Sequence, residues 1–200
     1  MTDGAGKTVI GVTGGLATGK TTVTDMLVSL GARRIDADSI SHDLLDNDEG
    51  IRDRVISLFG REITDKGRID RKRLRREVFF DREKLEALCG LLHPAITCRI
   101  EKMVRQTEAH VIALDAPLLI EASLQDMVDV VVLVKSAPGT QVARAIDRGM
   151  SEEEARAVIG CQMPLESKER YADHIIENDK DMDTLKEGVT RIWQKIQKGR

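Results

Sequence analysis

The chain has 200 residues, 41% of them apolar, enough for one globular domain with a real core. Its formal net charge of −3 gives no general case for a nucleic-acid or membrane partner, and no apolar stretch approaches the 18 or so residues of a membrane span. Three widely spaced cysteines without a C-x-x-C pair read as free thiols in a reducing cytoplasm, and the polar segment Met1–Lys7 does not read as a signal peptide.

The first predicted strand, Val9–Thr13, is apolar enough to be buried on both faces, as in a parallel sheet. It runs into Gly14-Gly15-Leu16-Ala17-Thr18-Gly19-Lys20-Thr21, a complete G-x-x-x-x-G-K-[ST] phosphate-binding loop. Gly15, Leu16, Ala17, Thr18, Gly19, Lys20, Thr21 and Thr22 are the candidate nucleotide contacts. Backbone N–H groups turn inward around phosphate oxygens, Lys20 reaches the outer phosphates, and the Thr21 hydroxyl faces Mg²⁺. An amphipathic helix follows from Lys20 to Leu30, aims its positive end at the same anion, and stops at Gly31.

A second strand, about Arg33–Asp36, leads into Asp36-Ala37-Asp38-Ser39 and a helix through Ile40, Leu44 and Leu45. A right-handed crossover makes this strand parallel to the first, so both finish at the edge where open α/β sheets bind ligands. Asp36 and Asp38, two apart, point the same way if the backbone stays extended. One can serve a metal and the other take a proton from an attacking hydroxyl, with Asp38 as the base; helix capping by Asp38 or Ser39 is the competing role. From Ile51 to Thr107 the pattern is helical almost throughout, with Pro94 starting a new helix. The basic run Arg68–Arg76 reads as a solvated helix face or a cradle for an anionic substrate. One Trp and one Tyr leave little for stacking on bases, so nucleic acid is not the expected ligand.

Two more buried strands follow, His110–Asp115 and Val128–Val134. Asp115 ends the first of them, as a metal-supporting aspartate does in other phosphate-loop proteins, or else orders the neighbouring loops. A helix from Pro138 to Arg148 carries Arg144 and Arg148 on one face, suited to closing over a phosphoryl group or to surface ion pairs. Ser151 with Glu154 forms a capping box for the next helix. The last strand spans Ala172–Asn178, and a closing helix Met182–Ile196. Alternating strands and helices define a doubly wound α/β domain with a parallel sheet. The residues alone admit a kinase of some small hydroxyl acceptor or, on a poorer motif match, a GTP-dependent switch.

Several separated motifs resemble one family, the dephospho-CoA kinases. They are Thr13-Gly14-Gly15 with Gly19-Lys20-Thr21, Leu30-Gly31-Ala32, Ile35-Asp36-Ala37-Asp38 and Phe59-Gly60. Gly67-Arg68-Ile69-Asp70-Arg71, Leu92-His93-Pro94, Pro117-Leu118-Leu119 with Glu121, and Gln141 with Arg144 and Arg148 follow. Gln162, Ala172-Asp173 and Asn178 complete the series. The resemblance implies a P-loop kinase that uses Mg²⁺ and ATP to phosphorylate the ribose 3′-hydroxyl of dephospho-CoA, acting in the cytoplasm as a monomer or weak homo-oligomer. It implies Asp38 as base, Lys20, Arg144 and Arg148 as phosphate clamps, and Asn178 near the adenine. Asp36, Arg71, His93 and Pro94 fall to the acceptor, and Thr21 and Asp115 to the metal. It also implies a core of about 8–60, 108–136 and 172–200, a helical acceptor-binding insert of about 61–107 and a lid of about 137–170. Ala17 stands where many members carry glycine, which restricts the local backbone.

Overall fold

The structure is a computed structural model and describes residues 6–79 and 81–198. The first five residues of the polar amino-terminal segment therefore lie outside the described residues. The chain divides into two compact units, one formed by Met1–Ile35 with Thr107–Arg200 and the other by Asp36–Gln106. The division falls at Ile35/Asp36 rather than near residue 60, so two helices assigned to the core by sequence go with the helical unit.

The first unit is built on a five-stranded parallel sheet of order β2-β5-β1-β6-β7. Its strands are β1 (Thr8–Gly14), β2 (Arg33–Asp36), β5 (Val111–Asp115), β6 (Val130–Lys135) and β7 (His174–Glu177). β1 is the centre: Val12 pairs with Asp115 on one side and with Val132 on the other. Strand order reverses across β1, so the loop after β1 opens at the point where such sheets bind ligands. The near-continuous Val/Ile runs are what burial on both faces demands. One face is covered by α1 (Lys20–Ser29) and α9 (Met182–Lys198). Val23 and Leu27 of α1 and Leu185, Val189, Ile192 and Ile196 of α9 pack there on Ile10, Val12, Val132 and Val134. The unit also holds α6 (Pro138–Asp147), α7 (Glu152–Cys161) and the short α8 (Leu165–Lys168). The expected capping box at Ser151 and Glu154 is present in both directions.

The second unit comprises α2 (Ala37–Asn47), α3 (Glu49–Phe59), a hairpin of β3 (Thr64–Asp65) and β4 (Arg68–Ile69), α4 (Arg71–Phe79) and α5 (Arg82–Gln106). The hairpin interrupts what reads as a continuous helical region. Lys66 and Gly67 both have positive φ, which lets a two-residue turn close it. Pro94 does not begin a helix: it lies inside the 25-residue α5. Leu88, Leu92, Ile96 and Ile100 form one buried stripe on both sides of it. Burying that stripe offsets the roughly 3 kcal/mol that an interior proline costs a helix. Among the described residues no helix is long and apolar enough to cross a membrane.

Candidate active site

Helix α1 begins at Lys20, after Gly19 at the N-cap position, with no side-chain cap and no acidic residue in its first turn. Its first amides are thus left for an anion, which is what a phosphate-binding helix start requires. Gly19 sits at φ +92°, and a Cβ there would run into Asn178 Nδ2. Only glycine fits. Ala17 also occupies the left-handed region, at φ +54°. Its backbone is therefore not merely restricted but placed where an L-residue costs roughly 1–2 kcal/mol. The methyl packs with Ala145 of α6 and Ala155 of α7, which gives the alanine a place to go.

The loop is held from beneath by buried polar groups. Asn178, directly after β7, donates from Nδ2 to Thr18 O at 2.8 Å. Ser136, directly after β6, puts Oγ 3.0 Å from Asn178 O and 3.3 Å from Thr18 O. Arg144 donates to Ser136 Oγ and Asn178 O, and the buried Gln141 donates to Ser136 O. Thr18 turns its own hydroxyl back to Gly15 O. Arg144 is therefore drawn under the loop, whereas Arg148 lies exposed at the end of α6. Four residues of helical spacing do not give them one environment, because Arg148 has left the helix.

A second layer ties Gln162 to the loop and Met163 and Lys168 to residues 117–121. Leu16 N–H donates to Gln162 Oε1 at 2.9 Å. Lys168 is fully buried; its Nζ donates to Pro117 O and pairs with Glu121 at 2.9 Å. Glu121 also accepts from Met163 N, and Pro117 O accepts from Thr13 Oγ1 at the end of β1. Sequence reasoning gave Lys168 no role. Nothing in the pattern marks it, since a lysine is ordinarily an exposed residue.

Lys20 and Asp115 form an ion pair through Asp115 Oδ1. Asp115 is only 2% exposed, and its other oxygen accepts from Arg34 Nη2 at 2.7 Å. Arg34 in turn reaches Asp25 Oδ1 through Nη1 at 2.8 Å. Both oxygens of the expected metal-supporting aspartate thus face cations of the protein. Arg34 is a site residue that the sequence reading missed. Thr21 is exposed at the start of α1 and Thr22 half-buried beside it.

In the helical unit Asp36 and Asp38 do not continue one extended strand. α2 begins at Ala37, so Asp36 is the cap, accepting from Ser39 N at 3.0 Å, and Asp38 lies exposed in the first helical turn. The capping role foreseen for Asp38 or Ser39 belongs to Asp36. Arg71 is exposed at the start of α4, and Pro94 is exposed on α5. His93 is half-buried, and that burial pushes its imidazole pKa below the ordinary value. Asp70 caps α4, and the backbone N–H of Arg73 is the main cause of its lowered carboxyl pKa.

Parallel sheet, phosphate loop and lysine define a P-loop nucleotide-binding protein of the kinase class. The model of the family "Dephospho-CoA kinase" matches residues 8–184. The dephospho-CoA kinase of Carboxydothermus hydrogenoformans is 40% identical over 192 residues, covering 94% of this chain and 93% of that protein. Among solved structures, that of TT1252 from Thermus thermophilus superposes with a TM-score of 0.83 at 30% identity, over 94% of this chain and 97% of that one. The dephospho-CoA kinase from Campylobacter jejuni gives 0.70 at 27% identity, over 96% and 98%. The chain belongs to the dephospho-CoA kinase family. It is a phosphotransferase whose activity is the final step of coenzyme A biosynthesis, with ATP as co-substrate.

Proposed function

We propose that the chain transfers the γ-phosphoryl group of ATP directly to the ribose 3′-hydroxyl of dephospho-CoA. The observation that carries the nucleotide half is a phosphate loop with an uncapped helix start, buttressed by Asn178, Ser136 and Gln141. Gly15–Thr22 cradle the phosphates, and Lys20 leaves Asp115 to meet them. Asn178 keeps its Nδ2 on Thr18 O and serves the adenine side of the nucleotide. Arg148, exposed at the end of α6, neutralises charge on the moving phosphoryl group, and Arg144 acts from below by holding Ser136 and Asn178.

Asp38 accepts the proton of the attacking hydroxyl. An exposed carboxylate in the turn after the carboxyl end of β2 supports that reading. Asp36 fixes the turn that presents it. Arg71, His93 and Pro94 serve the acceptor; a neutral imidazole, favoured by burial, suits hydrogen bonding to an amide-rich chain such as pantetheine better than charge pairing.

The donor set fits Mg²⁺ carried by the nucleotide. No cluster of three His, Cys, Asp or Glu among the described residues could hold a metal alone, and Mg²⁺ commonly takes one or two protein oxygens with phosphates and water. Thr21 and Asp115 would hold it. When bound, the ion would supply positive charge against the phosphates. The free cysteines Cys89, Cys98 and Cys161 suit a reducing cytoplasm.

The test is to incubate the chain with Mg·ATP and dephospho-CoA and locate the new phosphate by phosphorus and proton NMR. Acceptor-dependent ADP release with one phosphate on the 3′ position is the expected result. A 2′ product, or ADP release indifferent to the acceptor, overturns the reading.

A further inference from the structure

We propose that Arg34 is a positioning residue for ATP binding: by holding Oδ2 of buried Asp115, it allows Lys20 to leave Oδ1 for the phosphates. The proposal rests on the reading of Lys20 as the phosphate cation. Lys20 and Arg34 each face one oxygen of Asp115, a carboxylate with 2% exposure. A carboxylate in such a place must keep a counter-charge, because leaving it buried alone is strongly unfavourable. If Lys20 were its only cation, Asp115 would compete with ATP for the same ammonium. Arg34 removes that conflict. Its charge stays on Asp115 whether Lys20 points down to the carboxylate or up to the phosphate.

The geometry also says why this residue is an arginine. Nη2 reaches Asp115 at 2.7 Å while Nη1 reaches Asp25 at 2.8 Å, so a fixed fork bridges β5 and α1. A lysine keeps the charge but carries it on one nitrogen at the end of a flexible stem, without the two separated nitrogens of a planar fork. Asp25 lies five positions after Lys20 on the same helix, 61% exposed, and serves to aim the guanidinium rather than to neutralise a buried group. Arg34 need not touch ATP for this effect.

The experiment is an equilibrium titration of ATP in EDTA, so that no metal intervenes, on six chains: unaltered, Arg34→Met, Arg34→Lys, Asp115→Asn, the Arg34→Met/Asp115→Asn double variant and Lys20→Met. Arg34→Met is expected to raise the ATP Kd about tenfold, the size of coupling that neighbouring charges in one network show. Once Asp115 is neutral there is nothing left to compensate, so Arg34→Met in the Asp115→Asn background is expected to change the Kd less than twofold. Arg34→Lys, which keeps the charge, should recover most of the loss. A change below twofold in the single variant, or an equal factor in both backgrounds, overturns the proposal. If Arg34→Met fails to fold by circular dichroism, Arg34→Gln replaces it with the same expectations. Lys20→Met separates the two levels. If it binds ATP normally, the reading of the loop fails; if it binds poorly while Arg34→Met binds normally, only the role of Arg34 fails.

Discussion

The two units treat their polar residues in opposite ways. Thr13, Thr18, Thr24, Asp115, Ser136, Gln141, Lys168 and Asn178 are buried in the sheet unit. In the helical unit no polar or charged residue is buried among those described. Its ion pairs, such as Arg99 with Asp43 and Arg82 with Glu86, lie between exposed side chains. Surface pairs of this kind contribute roughly 0–1 kcal/mol. A buried, mutually bonded polar set does the reverse: it fixes one arrangement and penalises any other. The sheet unit is therefore built for a ligand of constant shape, the phosphate chain of a nucleotide. The helical unit has a firm apolar stripe along α5, and its described polar side chains stay at or near the surface.

The contrast can be broken first at the loop. Gly19→Ala sets a methyl on Asn178 Nδ2 at a φ of +92°. Either the loop moves or Asn178 gives up Thr18 O. Displacement on the order of 1 Å costs about 10²-fold, and that is the fall expected in kcat/KM for ATP, with the acceptor KM unchanged. An alanine that leaves ATP kinetics intact would mean the buttress is dispensable. A smaller effect is expected at Lys168→Met, which leaves Glu121 without its buried cation. Breaking such a pair costs roughly 3–5 kcal/mol; because Glu121 is partly exposed, about 3 kcal/mol is expected by urea unfolding. Pairing the change with Glu121→Gln should recover at least half of it. If the double variant is no more stable than the single one, Lys168 acts through Pro117 O instead.

Much of this was readable from local pattern. The phosphate loop, the strand end at Asp115, the stop at Gly31 and the Ser151 capping box each depend on a few adjacent residues, so spacing suffices. The remainder depends on distant partners or on competition between local rules. Pro94 reads as a helix start because proline usually is one, but the stripe from Leu88 to Ile100 overrides it. Asp36 and Asp38 read as one extended pair because nothing local marks Ala37 as the first helical residue. Arg34 meets Asp115 across 81 positions, and Lys168 meets Pro117 across 51, so neither pairing leaves a mark in the sequence near it.

The central proposal is a division of labour, in which the phosphate loop would hold ATP and Asp38 would accept the proton of the attacking hydroxyl. Its most direct test is Asp38→Asn, with ATP affinity and turnover measured on the same preparation. Losing a general base lowers rates by about 10²–10⁴-fold, so kcat should fall by that factor while the ATP Kd stays within twofold. A collapse of ATP affinity, or a kcat left unchanged, would contradict the account.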